Sequence, residues 1–143
     1  MSDKEKSTDE LMNEINQTHE IKKFIENNDS EFVSEPLHDI LNRLLKKESE
    51  KTEVVARISL NRIYAYQIFS GKRIPSRDKL IALCFGFKFN LEETDKLLKT
   101  AGYSPLYARN KRDALIIFAI NSNKSIFVVN ELLFENGFDI LTA

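Results

Sequence analysis

The sequence is poor in the residues that build covalent, metal and phosphate-binding sites. Its 143 residues include one cysteine, Cys84, and four scattered glycines. A lone thiol excludes an internal disulfide, and its place in the apolar run LIALCF reads as a buried structural cysteine. With that single cysteine and two isolated histidines, His19 and His38, no metal cluster has its ligands at workable spacing. The glycines form no phosphate-cradling loop. No apolar run approaches the roughly 18 residues of a membrane span. The segment MSDKEKSTDE is polar and acidic, unlike a secretory signal, so a cytoplasmic setting without membrane contact is expected. Glu92, Glu93 and Asp95 fall at a helix start, where carboxylates complement the helix dipole rather than perform acid–base chemistry. No catalytic residue, metal or cofactor is expected, and no enzymatic activity.

What is present is charge, unevenly placed. The net charge is −1, yet residues 1–35 hold ten acidic and four basic side chains, and residues 36–143 hold seventeen basic and twelve acidic. Between Arg57 and Lys79 the bases Arg57, Arg62, Lys72, Arg73, Arg77 and Lys79 face one acid, Asp78. Such a local excess has the form of an electrostatic footprint for phosphate, although the near-neutral whole implies modest non-specific affinity.

Hydrophobic periodicity predicts an all-α chain in three parts. Residues 1–35 form an acidic segment, disordered at first, with one amphipathic helix over about 9–26 that ends at Asn27-Asn28-Asp29-Ser30. Residues 36–104 hold five helices. The first, about 36–47, is capped by Ser34 with Pro36 in its first turn. Two short helices follow at 51–58 and 61–69, then 76–87 behind Ser76 and 91–101, which stops at Gly102. Residues 105–143 form a further helical hairpin.

That hairpin repeats the one before it. Setting 76–106 over 111–141 aligns Arg77-Asp78 with Arg112-Asp113, Leu80-Ile81 with Leu115-Ile116, and Leu97-Leu98 with Leu132-Leu133. Gly102 falls on Gly137 and Leu106 on Leu141, which makes eight identities and argues for duplication. The recurring Arg-Asp pair reads as an ion pair clamping one hairpin to the next, which makes Arg77 a poor candidate for ligand contact. The run ALIIFAI is apolar on every side, so its helix is either central or covered by another chain. A homodimer seam through Phe127, Val128 and Phe134 is expected, with packing against the preceding helices as the alternative.

The most informative stretch is KTEVVARISLNRIYAYQIFSGKRIPSRDKLIAL, from Lys51 to Leu83. Two short helices joined by a tight elbow at Ser59-Leu60, with cations just past the second, are the parts of a DNA-reading helix-turn-helix. Ala65 and Ile68 supply the inward face of the second helix, so Arg62, Ile63, Tyr66 and Gln67 point outward as candidate base contacts. Arg62 suits guanine and Gln67 adenine, each through two hydrogen bonds, and Ile63 suits a thymine methyl. Asn61 stands at the cap position. Lys72, Arg73 and Lys51 suit phosphates. Tyr64 reads as a packing residue.

This segment resembles the Cro/lambda-repressor type of helix-turn-helix regulator, also called the XRE family, from about Pro36 to Leu98. The stretch IFSGKRIPSRDKLIAL carries the most specific part of the likeness, the exit of a recognition helix. The whole chain looks like a subgroup with an additional C-terminal helical hairpin. The resemblance implies a lambda-repressor-like five-helix domain that binds specific double-stranded DNA as a repressor-like transcriptional regulator. It places Lys51, Asn61, Arg62, Ile63 and Gln67 at positions that touch DNA, with Lys72 and Arg73 on the backbone. Three positions depart from the family pattern. Val55 replaces a small residue, Ala65 a large aliphatic one, and Ser59 the glycine of the turn. Val55 against Ala65 conserves summed volume, while Ser59 predicts an altered elbow, because a positive φ disfavours any residue but glycine. A protein-interaction module on the same scaffold, without DNA binding, stands as the second reading.

Overall fold

The computed structural model describes residues 6–28, 35–47 and 49–143. Among them are nine α-helices and no strand. The chain divides into two compact units, Met1–Ser34 and Glu35–Ala143. The expected cap Ser34, and Asp29-Ser30 of the expected helix end, lie outside the described residues.

In the first unit, the single helix expected over 9–26 is two helices, α1 (Thr8–Gln17) and α2 (Ile21–Asn27). Thr18 leaves the helix at φ −84°, ψ 142°, and Glu20 is extended at φ −141°. The Thr18 hydroxyl donates to the Glu20 carbonyl at 3.3 Å and accepts from the Glu20 amide at 3.4 Å. Local side-chain bonds of this kind offer the backbone an alternative to the helix ladder. Periodicity alone does not reveal that competition. Ser7 caps α1, and Lys6 and Asn28 both bond to Glu14, holding its carboxyl below the usual range.

The second unit holds α3 (Leu37–Leu44), α4 (Glu50–Arg57), α5 (Arg62–Ser70), α6 (Arg77–Phe87), α7 (Leu91–Thr100), α8 (Lys111–Asn121) and α9 (Ile126–Glu135). Helix α6 is its spine, burying Leu80, Ile81, Ala82, Leu83, Cys84, Gly86 and Phe87. Gly86 lets α4 approach: a Cβ there would lie 2.6 Å from Ile58 Cγ2 and 2.9 Å from the Val54 carbonyl oxygen. Arg57 donates to the Gly86 carbonyl at 2.8 Å from the same side. Asn90 and Glu93 close a full capping box on α7, so Glu93 does more than complement the dipole.

The duplicated hairpin repeats several of its tertiary bonds. Tyr103 N–H donates to Leu98 O and Phe138 N–H to Leu133 O, behind glycines at φ 85° and 80°. Lys88 and Asn123, equivalent across the offset, share left-handed φ values of 61° and 55°. Asp95 accepts from the Leu106 amide and Asn130 from the Leu141 amide, each at 2.9 Å. Arg77 Nε donates to Ser104 O and Arg112 Nε to Asp139 O. The Arg-Asp pairs cross: Arg77 grips Asp113 at 3.0 Å, and Arg112 grips Asp78 at 2.8 Å. Helix α8 sends Ile116, Ala119 and Ile120 into the common core, so its apolar run is largely covered within one chain. Phe118 remains 54% exposed.

Asp113 is buried and Asp78 about a third exposed, so the two clamps are unequal. Arg77→Ala leaves the buried Asp113 carboxylate without its cation, held only by the Tyr107 amide, and should cost about 3 kcal/mol. Breaking the more exposed pair with Asp78→Ala should cost about 1 kcal/mol. Urea unfolding checks the ranking, and equal losses would contradict it.

Cys84 is buried as expected, and burial pushes its thiol up to about 12. It should resist Ellman's reagent at neutral pH and react once unfolded. The folded thiol keeps its proton while an unfolded one ionises near 9, so this group's contribution falls as pH rises from about 9 towards 12. A Cys84→Ala chain should show a shallower loss of urea midpoint across that window.

Candidate nucleic-acid interface

Helix α5 starts where Asn61 accepts from the Tyr64 amide at 3.1 Å, which is the expected cap. Its buried face is Ala65, Ile68 and Phe69. Arg62 and Ile63 are exposed, Ile63 by 70%, while Tyr66 and Gln67 are half-buried beside them. Of the four side chains expected on one ridge, Arg62 and Ile63 are thus open, and Tyr66 also packs against the core. The Tyr66 hydroxyl lies 3.5 Å from Thr52 Oγ1, and Gln67 Oε1 accepts from Arg73 Nε at 3.2 Å.

The elbow before α5 is built without a left-handed residue. Among described residues only Lys88 and Asn123 have positive φ besides glycines, so Ser59 does not adopt the conformation that favours glycine. Ile58 turns the chain at φ −106°, ψ 76°, and the Leu60 amide donates to the Ile58 carbonyl. Val55 and Ala65 are both buried in the shared core.

The exit of α5 is a glycine stop. Gly71 takes φ 85°, with its own amide on Ile68 O and the Lys72 amide on Gln67 O. Asn42 of α3 donates to the Phe69 carbonyl at 2.8 Å, satisfying an acceptor at the helix end from outside. The His38 ring covers Gly71 so closely that a Cβ there would lie 2.7 Å from Nδ1. Lys72 and Arg73 are exposed just beyond, as expected.

Two further side chains, Tyr64 and Lys79, join this surface. Lys79 lies 4.7 Å and Arg73 5.8 Å from the centre of the Tyr64 ring. Tyr64 is thus a platform holding two cations as well as a packing residue. Its place two residues after Arg62 gave no hint of that, because the cations arrive from later in the chain. Lys51 is half-buried, with its ammonium 5.5 Å above the Phe69 ring. Glu50 and Glu53 occupy the same first turn of α4, so negative charge accompanies Lys51 at that helix start. Arg77 is held by Asp113, Ser104 and Pro105, in keeping with a structural role. Phe127 and Phe134 of α9 are 61% and 76% exposed, and Val128 beside them is exposed too. No protein-family model, curated protein or solved structure matches this chain.

Gly71 and Gly102 share φ 85°, but nothing lies within 4 Å of a Cβ at Gly102. Alanine at either position should cost about 1–2 kcal/mol for the backbone. At Gly71 the clash with His38 should add to it. Thermal melts should show that excess disappearing when Gly71→Ala is combined with His38→Ala.

Proposed function

We propose that this chain binds specific double-stranded DNA through α5 and regulates transcription, as a lambda-repressor-like helix-turn-helix protein of the Cro/XRE type. The observation that carries the reading is the ridge of Arg62, Ile63, Tyr66 and Gln67, exposed at Arg62 and Ile63 and half-buried at Tyr66 and Gln67, on a helix whose other side is anchored in the core. Arg62 and Gln67 read base edges, Ile63 offers an apolar contact, and Tyr66 flanks them. Asn61, Lys72, Arg73 and Lys51 serve the DNA backbone, with Lys79 added to that set through Tyr64. The Gln67–Arg73 bond fixes a backbone cation beside a base-reading amide. A homodimer through Phe127, Val128 and Phe134 would set two α5 helices about one DNA turn, roughly 34 Å, apart.

A second reading, a protein-interaction module without DNA binding, draws on the exposed Phe118, Phe127 and Phe134. The two readings separate cleanly. Anisotropy titration against a random duplex library, followed by selection, should give salt-sensitive binding and a preferred site. Arg62→Ala and Gln67→Ala should each lose about 1–3 kcal/mol of discrimination at one position. Lys72→Ala should weaken all sequences alike and lower the salt slope by about 1. Absence of salt-sensitive binding at low ionic strength rejects the DNA reading. If Phe134→Asp abolishes the cellular effect while Arg62→Ala changes nothing, the interaction reading replaces it.

A further inference from the structure

A cleft of about 670 Å³ lies between the end of α4, the end of α6 and the α8–α9 turn, away from the α5 ridge. Its walls combine aromatic and aliphatic surface, notably Phe85, Phe89, Ile126 and Phe127, the last of which also belongs to the proposed homodimer seam, with the cations Arg57, Lys88 and Lys124. Among the described residues, no acidic side chain lines it. Arg57 is committed to the Gly86 carbonyl and, at 3.5 Å, to Glu53. Lys88 and Lys124 are exposed and form no ion pair among the described residues.

We propose that this cleft binds a small organic anion with an apolar body, such as an aromatic or medium-chain carboxylate, with Lys88 and Lys124 holding the anionic group. The volume falls within the roughly 300–1,000 Å³ usual for small-molecule sites, and a few polar groups on apolar walls are the usual lining. An apolar body gains by leaving water for the walls, and the charged end remains at the solvated mouth, where desolvation is small. With Arg57 already paired to Glu53, the uncompensated charge at the cleft is that of Lys88 and Lys124, and it decides the sign of the ligand. The duplication explains how the site arose: Lys88 and Asn123 occupy equivalent left-handed turns, and both line the cleft. Arg57 immediately precedes the buried Ile58 of the elbow, so occupation joins the C-terminal hairpin to the helix-turn-helix. That consequence for regulation rests on the DNA reading; binding itself does not.

The test uses 8-anilinonaphthalene-1-sulfonate, an apolar anion, beside N-phenyl-1-naphthylamine, its analogue without the sulfonate, titrated by fluorescence into the full chain. One saturable site per chain is expected for the sulfonate, displaced by decanoate at lower concentration than by decanol. Lys88→Asn places at the left-handed turn the residue its repeat already uses there, so it removes the charge without opposing the backbone. Together with Lys124→Asn it should weaken the sulfonate by about tenfold and leave the neutral dye unchanged, while the circular dichroism melt stays that of a folded chain. Equal weakening of both dyes, or none, overturns the proposal. So does an affinity that rises with protein concentration, which would place the dye at a contact between copies. None of these readouts involves DNA, so failure here leaves the DNA reading standing, and failure there leaves this one standing.

Discussion

The approach of α4 to α6 at Gly86 sets the direction of everything that follows in the chain. With hydrogen in place of a side chain, Ile58 and the last turn of α4 sit directly against α6. Arg57 ties the same point through the Gly86 carbonyl. Ile58 is fully buried there, and it is the residue at which the chain turns towards α5. Interiors are packed densely enough that a displaced side chain carries its backbone with it. A shift of α4 on α6 would therefore become a rotation of the elbow and of the ridge on α5. The other end of α5 is held by different means, with Asn42 on the Phe69 carbonyl and His38 over Gly71. A nine-residue helix has little stability of its own. Two fixed ends give it one orientation.

The crossed arginine pairs say how the duplication was brought to a close. In an open array, each hairpin's arginine would reach forward to the next hairpin's aspartate. Here Arg77 reaches forward to Asp113, but Arg112 reaches back to Asp78. The two hairpins face each other across a local two-fold relation and satisfy one another. Both arginines also bond carbonyls in the loop that ends their own hairpin. Each clamp thus joins a helix start, a helix start in the other repeat, and a chain reversal. Repeats that stack in one direction leave an open end needing a cap; a reciprocal pair leaves none.

Much of this was legible locally. Asn61, Ser76 and the glycines at 71, 102 and 137 act within a few residues of themselves, and each occupies the cap or stop its position implied. The repeat was legible because its identities fall on turns and ion pairs, which a single alignment exposes. The Arg-Asp recurrence even suggested the clamp, although its crossing required three dimensions. The break after Gln17 was missed because the apolar spacing on either side continues across it. Nothing in the pattern of helix 76–87 singled out Gly86, and only the neighbour pressed against it explains its presence. In the candidate interface, the exposed side of α5 followed from Ala65 and Ile68. The Gln67–Arg73 bond and the cations around Tyr64 depend on where the chain goes after Gly71, which helix periodicity does not encode.

Near-neutral charge bears differently on the proposed interface once those contacts are considered. A surface that relies on many loose lysines gains affinity for any polyanion and orders each side chain at an entropic cost on binding. Here Arg73 is already held by Gln67, and with Lys79 it flanks the Tyr64 ring. Part of the ordering is complete before any partner arrives, which lowers the cost of association. Glu50 and Glu53 beside Lys51 act in the opposite direction, discouraging phosphate where geometry is wrong. Few cations, fixed in place and bounded by acids, favour a partner that meets all of them at once over one that offers charge alone. Under the proposed duplex reading, that arrangement would trade non-specific affinity for selectivity and leave Arg62, Ile63 and Gln67 of α5 to choose the sequence.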